Sequence, residues 1–136
     1  MKHAHPFLAF DGNCREAMTF YQQCLGAKLF LLTYGEAPFE SPPEAAERIL
    51  HSTLSNEERV LLMAADTMPG APFQPGNNFS IFLECESREE IDRVFAALAE
   101  SGTITMPLQD TFWHARFGTL TDRFGVRWSF NWATGQ

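Results

Sequence analysis

Pro6-Phe7-Leu8-Ala9-Phe10-Asp11-Gly12-Asn13 is an apolar run that ends in turn residues, and Phe79-Ser80-Ile81-Phe82-Leu83-Glu84-Cys85-Glu86-Ser87 repeats the arrangement 73 to 74 residues later. Each run reads as a short strand that leads into an amphipathic helix. With an offset of 74, Glu16, Ala17, Phe20, Tyr21 and Cys24 of the first helix fall on Glu90, Ile91, Val94, Phe95 and Leu98 of the second. The two segments share a pattern more than identities, which is the mark of a repeated structural unit. Two or three strands follow each helix, so the chain reads as a β-α-β-β-β unit written twice, an α+β protein.

The helix limits follow from local chemistry. Asn13 with Glu16 has capping-box spacing, the apolar stripe Ala17, Phe20, Tyr21, Cys24 and Leu25 follows, and Gly26 supplies the stop. Ser87 with Glu90 repeats the device ahead of Ile91, Val94, Phe95 and Leu98, with Gly102 as the stop. Strands are expected at Lys28 to Tyr34, Arg48 to Leu54, Val60 to Ala65, Ile104 to Leu108, His114 to Thr121 and Val126 to Trp132, rich in β-branched or aromatic residues. Asn56-Glu57-Glu58 and Asp122-Arg123-Phe124-Gly125 read as turns, the aspartate capping and the glycine taking the positive φ. Residues 35–47, with three prolines and four glutamates, break the pattern and are expected to form a mobile cover whose one apolar anchor is Phe39. Pro69, Pro72 and Pro75 stiffen a stretch between the repeats.

A chain of 136 residues builds one good core, and halves of fewer than 70 residues would be marginal apart. One domain over 1–136 is therefore expected, with module one over about 5–66, a linker over about 67–77 and module two over about 78–132. The net charge of -7, from 17 acidic and 10 basic residues without any Lys/Arg run, argues against nucleic acid or an anionic membrane as partner. No stretch approaches the roughly 20 apolar residues of a membrane span, and Met1 to Pro6 lacks the apolar region of a signal peptide, so a cytoplasmic protein is expected. Cys14, Cys24 and Cys85 are isolated and read as reduced apolar residues. A glycine-rich adenosylmethionine loop, a Walker loop and a G-x-S-x-G nucleophile motif are all missing.

Pro6 to Cys14, Phe20-Tyr21, Leu25-Gly26-Ala27, Asp66-Thr67-Met68-Pro69 and, most specifically, Thr111-Phe112-Trp113, Phe117-Gly118 and Thr121 to Trp128 resemble the PhnB-like proteins of the glyoxalase/bleomycin-resistance/dioxygenase group, the vicinal oxygen chelate superfamily. The resemblance runs from about residue 6 to 132. It implies paired βαβββ modules, each a curled sheet around a cleft, and a homodimer. It also implies a divalent metal held by His and Glu at matching strand positions. Those positions fall here on Pro6, on Leu62 or Met63, on Ser80 and on Ser129, none of which is a competent ligand for zinc, nickel, manganese or iron. No metal and no other cofactor is therefore expected, the alternative being an unfamiliar site drawing on His3, His5, His51 or His114.

What remains is a cleft with polar fittings. Arg127, Ser129 and Asn131 alternate with Trp128, Phe130 and Trp132, and Ser80, Phe82 and Glu84 alternate with Ile81, Leu83 and Cys85, which turns the polar sets toward the cleft. His51 on its strand and Asp66 at a strand end are further candidates, although a hydrogen-bonded sheet histidine is the plainer reading of His51. Trp113 and His114, ahead of a late strand, complete the candidate set; His114 stands where the resembling proteins commonly carry a small residue. Two functions compete: a module that binds a small, partly apolar molecule without a metal, and a lyase, isomerase or dioxygenase-like enzyme using an unrecognised metal or His51 with Asp66 as an acid/base pair.

Overall fold

A computed structural model describes residues 1–57 and 59–134. The chain divides into two compact units, Met1–Gln74 and Pro75–Gln136, with the boundary inside the proline-spaced stretch. The first unit runs β1 (Phe7–Phe10), α1 (Cys14–Leu25), β2 (Lys28–Thr33), β3 (Ile49–Asn56) and β4 (Arg59–Asp66). The second runs β5 (Ile81–Glu84), α2 (Arg88–Ala99), β6 (Thr103–Asp110), β7 (Ala115–Thr121) and β8 (Arg127–Ala133). Each bound of β1 and α1, moved on by 74 residues, gives the matching bound of β5 and α2. The repeat read from the sequence is therefore a repeat of structure.

Both sheets have the same topology. Their orders are β1-β4-β3-β2 and β5-β8-β7-β6, the first strand of each unit pairing in parallel with the last and the remaining neighbours antiparallel. Each sheet is curled and unclosed, with one helix on one face and the other face open. Leu8, Phe10, Leu54, Leu62 and Ala64 are buried on the helix side of the first sheet, beneath Cys14, Ala17, Met18 and Tyr21 of α1. Ile81, Leu120, Trp128 and Phe130 are their counterparts beneath Ile91, Val94, Phe95 and Leu98 of α2, with the Phe95 and Phe130 rings edge to face at 5.0 Å. Gly118 leaves little room for a side chain, because a Cβ would lie 2.9 Å from Leu108 Cδ2 and 3.0 Å from the Met106 carbonyl and Phe95 Cε2.

Local chemistry departs from expectation at the helix starts and stops. Asn13 makes no side-chain cap; the buried carboxylate of Asp66, at the end of β4, takes its place by accepting from Gly12 N at 2.8 Å and Cys14 N at 3.0 Å through Oδ1. Its Oδ2 accepts from Ile49 N at 2.8 Å, so one side chain ties the α1 entry to the start of β3. The buried stripe of α1 is accordingly Cys14, Ala17, Met18 and Tyr21, while Phe20, Cys24 and Leu25 are half-buried. Ser87 does cap α2, accepting from Glu90 N at 3.0 Å, while Glu90 Oε1 accepts from Glu86 N at 2.7 Å. Gly26 ends α1 in the left-handed region, whereas after α2 that conformation falls to Ser101, φ 61. Gly102 serves another need: a Cβ there would sit 2.5 Å from the Thr121 carbonyl.

Asp122, in the turn between β7 and β8, is a second buried carboxylate that organises backbone around it. It accepts from Phe124 N and Val126 N through Oδ1 and from the Trp128 indole N–H at 2.8 Å through Oδ2, while Gly125 takes φ 86. The turn after β3 includes Glu57, φ 54; Glu58 lies outside the described residues. Residues 35–47 are pinned at both ends, by a capping box between Thr33 and Glu36, by Gly35 N donating to Ala46 O at 2.9 Å, and by the fully buried Ala45. The expected cover is thus anchored, and Phe39, 55 % exposed, stands away from any core. Among the described residues no helix is long and apolar enough to cross a membrane.

Candidate ligand-binding site

The strand pairing of the second unit assembles most of the predicted polar residues on its open face. In the parallel β5/β8 pair, Phe82 lies opposite Ser129 and Glu84 opposite Asn131. Ser80 Oγ and Ser129 Oγ are hydrogen-bonded at 2.9 Å, and Asn131 Nδ2 donates to Glu84 Oε2 at 3.2 Å. Across β7 the same face continues with Phe117 beside Asn131, Thr119 beside Ser129 and Thr121 beside Arg127. Thr119 Oγ1 in turn meets Thr105 Oγ1 at 2.6 Å. Strand alternation alone sorts these residues from Trp128 and Phe130, which face α2.

One end of this face opens into a groove of about 340 Å³ whose lining includes Asn77, Phe79, Ser80, Thr105, Thr119, Arg127 and Ser129. Arg127 is held across it by donating from Nη1 to the Asn77 carbonyl at 2.9 Å. At the other end, Trp113 packs edge to face on Phe112 at 4.9 Å and near Phe117 at 6.4 Å. His114 is exposed and left-handed, φ 63, a conformation that glycine or asparagine adopts more readily. Its carbonyl accepts from both Thr134 N and Thr134 Oγ1, so the residue works through its backbone as a turn. Arg127 and Phe82 stand on the strand faces that the sequence turns toward the cleft, although not among the candidate site residues, and Thr105 and Thr119 were missed altogether. The alternation that carries Ser129 and Asn131 already included Arg127, but only the register brings Thr105 and Thr119 alongside.

The first unit separates the remaining two candidates. His51 Nε2 lies 3.0 Å from Thr53 Oγ1, with the Phe7 ring 6.4 Å away, on the open face. Asp66 shares the helix face with Phe10 and Ala64. Facing opposite ways and committed to three backbone N–H groups, Asp66 does not meet His51 as an acid/base partner. A separate hollow of about 470 Å³ is lined by His3, Ala4, His5, Arg59, Val60 and Leu61, with the two imidazoles 5.7 Å apart.

The positions implied as metal ligands come together in pairs, Ser80 with Ser129 in the second unit and Pro6 with Met63 in the first, where Met63 N donates to Pro6 O at 3.0 Å. Two neutral hydroxyls, and a proline beside a thioether, do not fit a zinc, nickel, manganese or iron centre, which calls for imidazole, thiolate or carboxylate. Among the described residues no group of three or more His, Cys, Asp or Glu side chains is placed to hold a metal ion. Two of the cysteines are held as thiols: burial pushes Cys14 up to about 12 and Cys85 up to about 11.

Residues 3–130 match the family model of the Glyoxalase/Bleomycin resistance protein/Dioxygenase superfamily. The chain belongs to that superfamily. It is 36 % identical over 138 residues to protein YjdN of Escherichia coli K12, covering 93 % of this chain and 92 % of that one. Among solved structures it is similar to protein PA1353 from Pseudomonas aeruginosa, at 42 % identity and TM-score 0.87 over 97 % of this chain and 98 % of the other. It is also similar to a putative 3-demethylubiquinone-9 3-methyltransferase, PhnB protein, from Bacillus cereus, at 30 % identity and TM-score 0.79 over 97 % and 100 % of the two chains. The PhnB-like resemblance and the two curled sheets thus agree with the superfamily's fold.

Proposed function

We propose that this superfamily member binds a small, partly apolar molecule against the open face of the β5–β8 sheet without using the metal common among its relatives. The observation that carries the reading is the ladder of paired polar side chains, Ser80 with Ser129, Thr105 with Thr119 and Glu84 with Asn131, set among exposed rings. Phe82 is 53 % exposed on the same face. Exposed aromatic rings beside fixed hydrogen-bonding groups are what a ligand pocket offers, the rings supplying area and the polar groups orientation. Both modules serve one domain in this reading. The acid/base alternative loses its support once Asp66 is committed to the α1 entry.

A homodimer accompanies the proposal. Phe7 and Phe30, 55 % and 56 % exposed, lie on the open face of the first sheet, and the two sheets end in the unpaired edges of β1, β2, β5 and β6, which a second copy would cover. Sedimentation at micromolar concentration checks the assembly. The binding reading is tested by metal analysis of untagged protein and by amide chemical-shift mapping during a screen of partly aromatic metabolites. Shifts concentrated at residues 80–84, 117–121 and 127–131, with well under one transition metal per chain, are expected. One tightly held ion per chain, lost when His51 or His114 is replaced, would overturn the metal-free reading.

A further inference from the structure

The groove at the Asn77 end of the second sheet differs in charge from the chain around it. Acidic residues outnumber basic ones 17 to 10, yet none lines the groove. Arg88, Arg116 and Arg123 of the same unit each form an ion pair with a carboxylate, whereas Arg127, like Arg93 on α2, forms none among the described residues. The Asn77 carbonyl occupies its Nη1 and leaves Nε and Nη2, the edge of the guanidinium that grips a carboxylate with two parallel bonds. The hydroxyls beside it add to the donors. In each of the pairs Ser80/Ser129 and Thr105/Thr119 one hydroxyl donates to the other, so one O–H per pair remains for a ligand.

We propose that this groove receives the carboxylate of an organic monoanion, with Arg127 as its anchor and the body of the ligand lying toward Phe79 and Phe82. The proposal rests on the binding reading above and names its ligand class. A neutral ligand would leave the guanidinium unpaired. A phosphonate or phosphate dianion would meet one cation where two charges need compensation, since no second Lys or Arg lines the groove. Phe79 and Phe82, 57 % and 53 % exposed, supply the apolar flank. Two of the positions that hold metal elsewhere in the superfamily thereby serve a different purpose here, with the one free O–H of the Ser80/Ser129 pair donating to ligand oxygen directly.

The test uses the full chain and three matched probes at neutral pH, benzoate, benzamide and phenylphosphonate, titrated while amide and Arg Nε–H shifts are recorded. Benzoate should move the Arg127 Nε–H and the Ser80, Thr119 and Ser129 amides, and should bind about tenfold or more tighter than benzamide, the worth of a charge-assisted hydrogen bond. Phenylphosphonate should bind more weakly than benzoate. Arg127→Gln should erase the preference for benzoate, and Arg127→Lys should keep part of it; because the side chain is exposed, circular dichroism of both should match the parent. If benzamide binds at this face as well as benzoate, or Arg127→Gln keeps the preference, the carboxylate assignment fails while the binding reading survives. Tighter binding of phenylphosphonate overturns the monoanion assignment. If no probe moves this face, both readings fall.

Discussion

Asp66→Ala should cost about 3–4 kcal/mol from its hydrogen bonds alone. The carboxylate is 5 % exposed and accepts three backbone N–H groups, from Gly12, Cys14 and Ile49, at 2.8, 3.0 and 2.8 Å. A buried donor left unsatisfied costs about 1–3 kcal/mol. Taking about 1.5 kcal/mol for each of the two buried bonds and about 0.5 for the one at Gly12, which is part-buried and can recover water, gives the total. For a chain of this size that corresponds to a fall in Tm of roughly 10–15 °C. Asp66→Asn separates the bonds: its carbonyl can keep Gly12 and Cys14, but its amide then faces the Ile49 N–H, at a cost of about 1.5–3 kcal/mol. Urea unfolding should be followed by far-ultraviolet circular dichroism, because the three tryptophans, 113, 128 and 132, all lie in the second unit. Hydrogen exchange at Cys14 and Ile49 should rise in both variants. An Asp66→Ala protein within about 1 kcal/mol of the parent would refute the reasoning.

Gly118→Ala should destabilise by about 1–3 kcal/mol, the usual cost of overpacking, because the new methyl meets Leu108, the Met106 carbonyl and Phe95 at 2.9–3.0 Å; equilibrium denaturation reads it. Cys14 should resist iodoacetamide at about pH 8 in the native protein and react once it is unfolded, as burial holds its thiol protonated. The folded value is raised, so the stability this thiol contributes is fully present below about pH 9 and is lost as pH rises through about 12. Asp110 lies below the usual carboxylate range, first through its hydrogen bond from Arg88 and then through Arg116. Its folded value is lowered, so its contribution is present above about pH 4 and is lost as pH falls through the folded value; Asp110→Asn should therefore differ from the parent in neutral melts and coincide with it in strongly acid ones.

The sites that were legible in the sequence are those whose chemistry is local. Ser87 sits three residues before Glu90 and caps α2 as its spacing requires, Gly26 takes the left-handed position that ends α1, and the turn from Asp122 to Gly125 closes as its residues dictate. Asn13 had equally good spacing with Glu16 but makes no side-chain cap, and the α1 entry is instead secured by Asp66, more than 50 residues away, whose carboxylate accepts from Gly12 N, Cys14 N and Ile49 N. Asp66 could be placed at a strand end from sequence, but its orientation toward the helix could not. His114 illustrates the same limit, since its left-handed φ comes from the hydrogen bonds of Thr111 and Thr134 around it.

By itself the sequence determined the repeat, the strands and the two α-helices that compose it, and the sorting of β5 and β8 into an apolar and a polar face, because periods of 2.0 and 3.6 residues need only near neighbours to express themselves. Tertiary structure alone decided that Ser80 meets Ser129 across 49 residues of chain, that Thr105 meets Thr119, and that Arg127 stands over an acid-free groove. Those meetings depend on strand register, and register is fixed by how the buried faces of Trp128, Phe130 and Ile81 settle beneath α2; a slip of one residue would turn the polar set into the core.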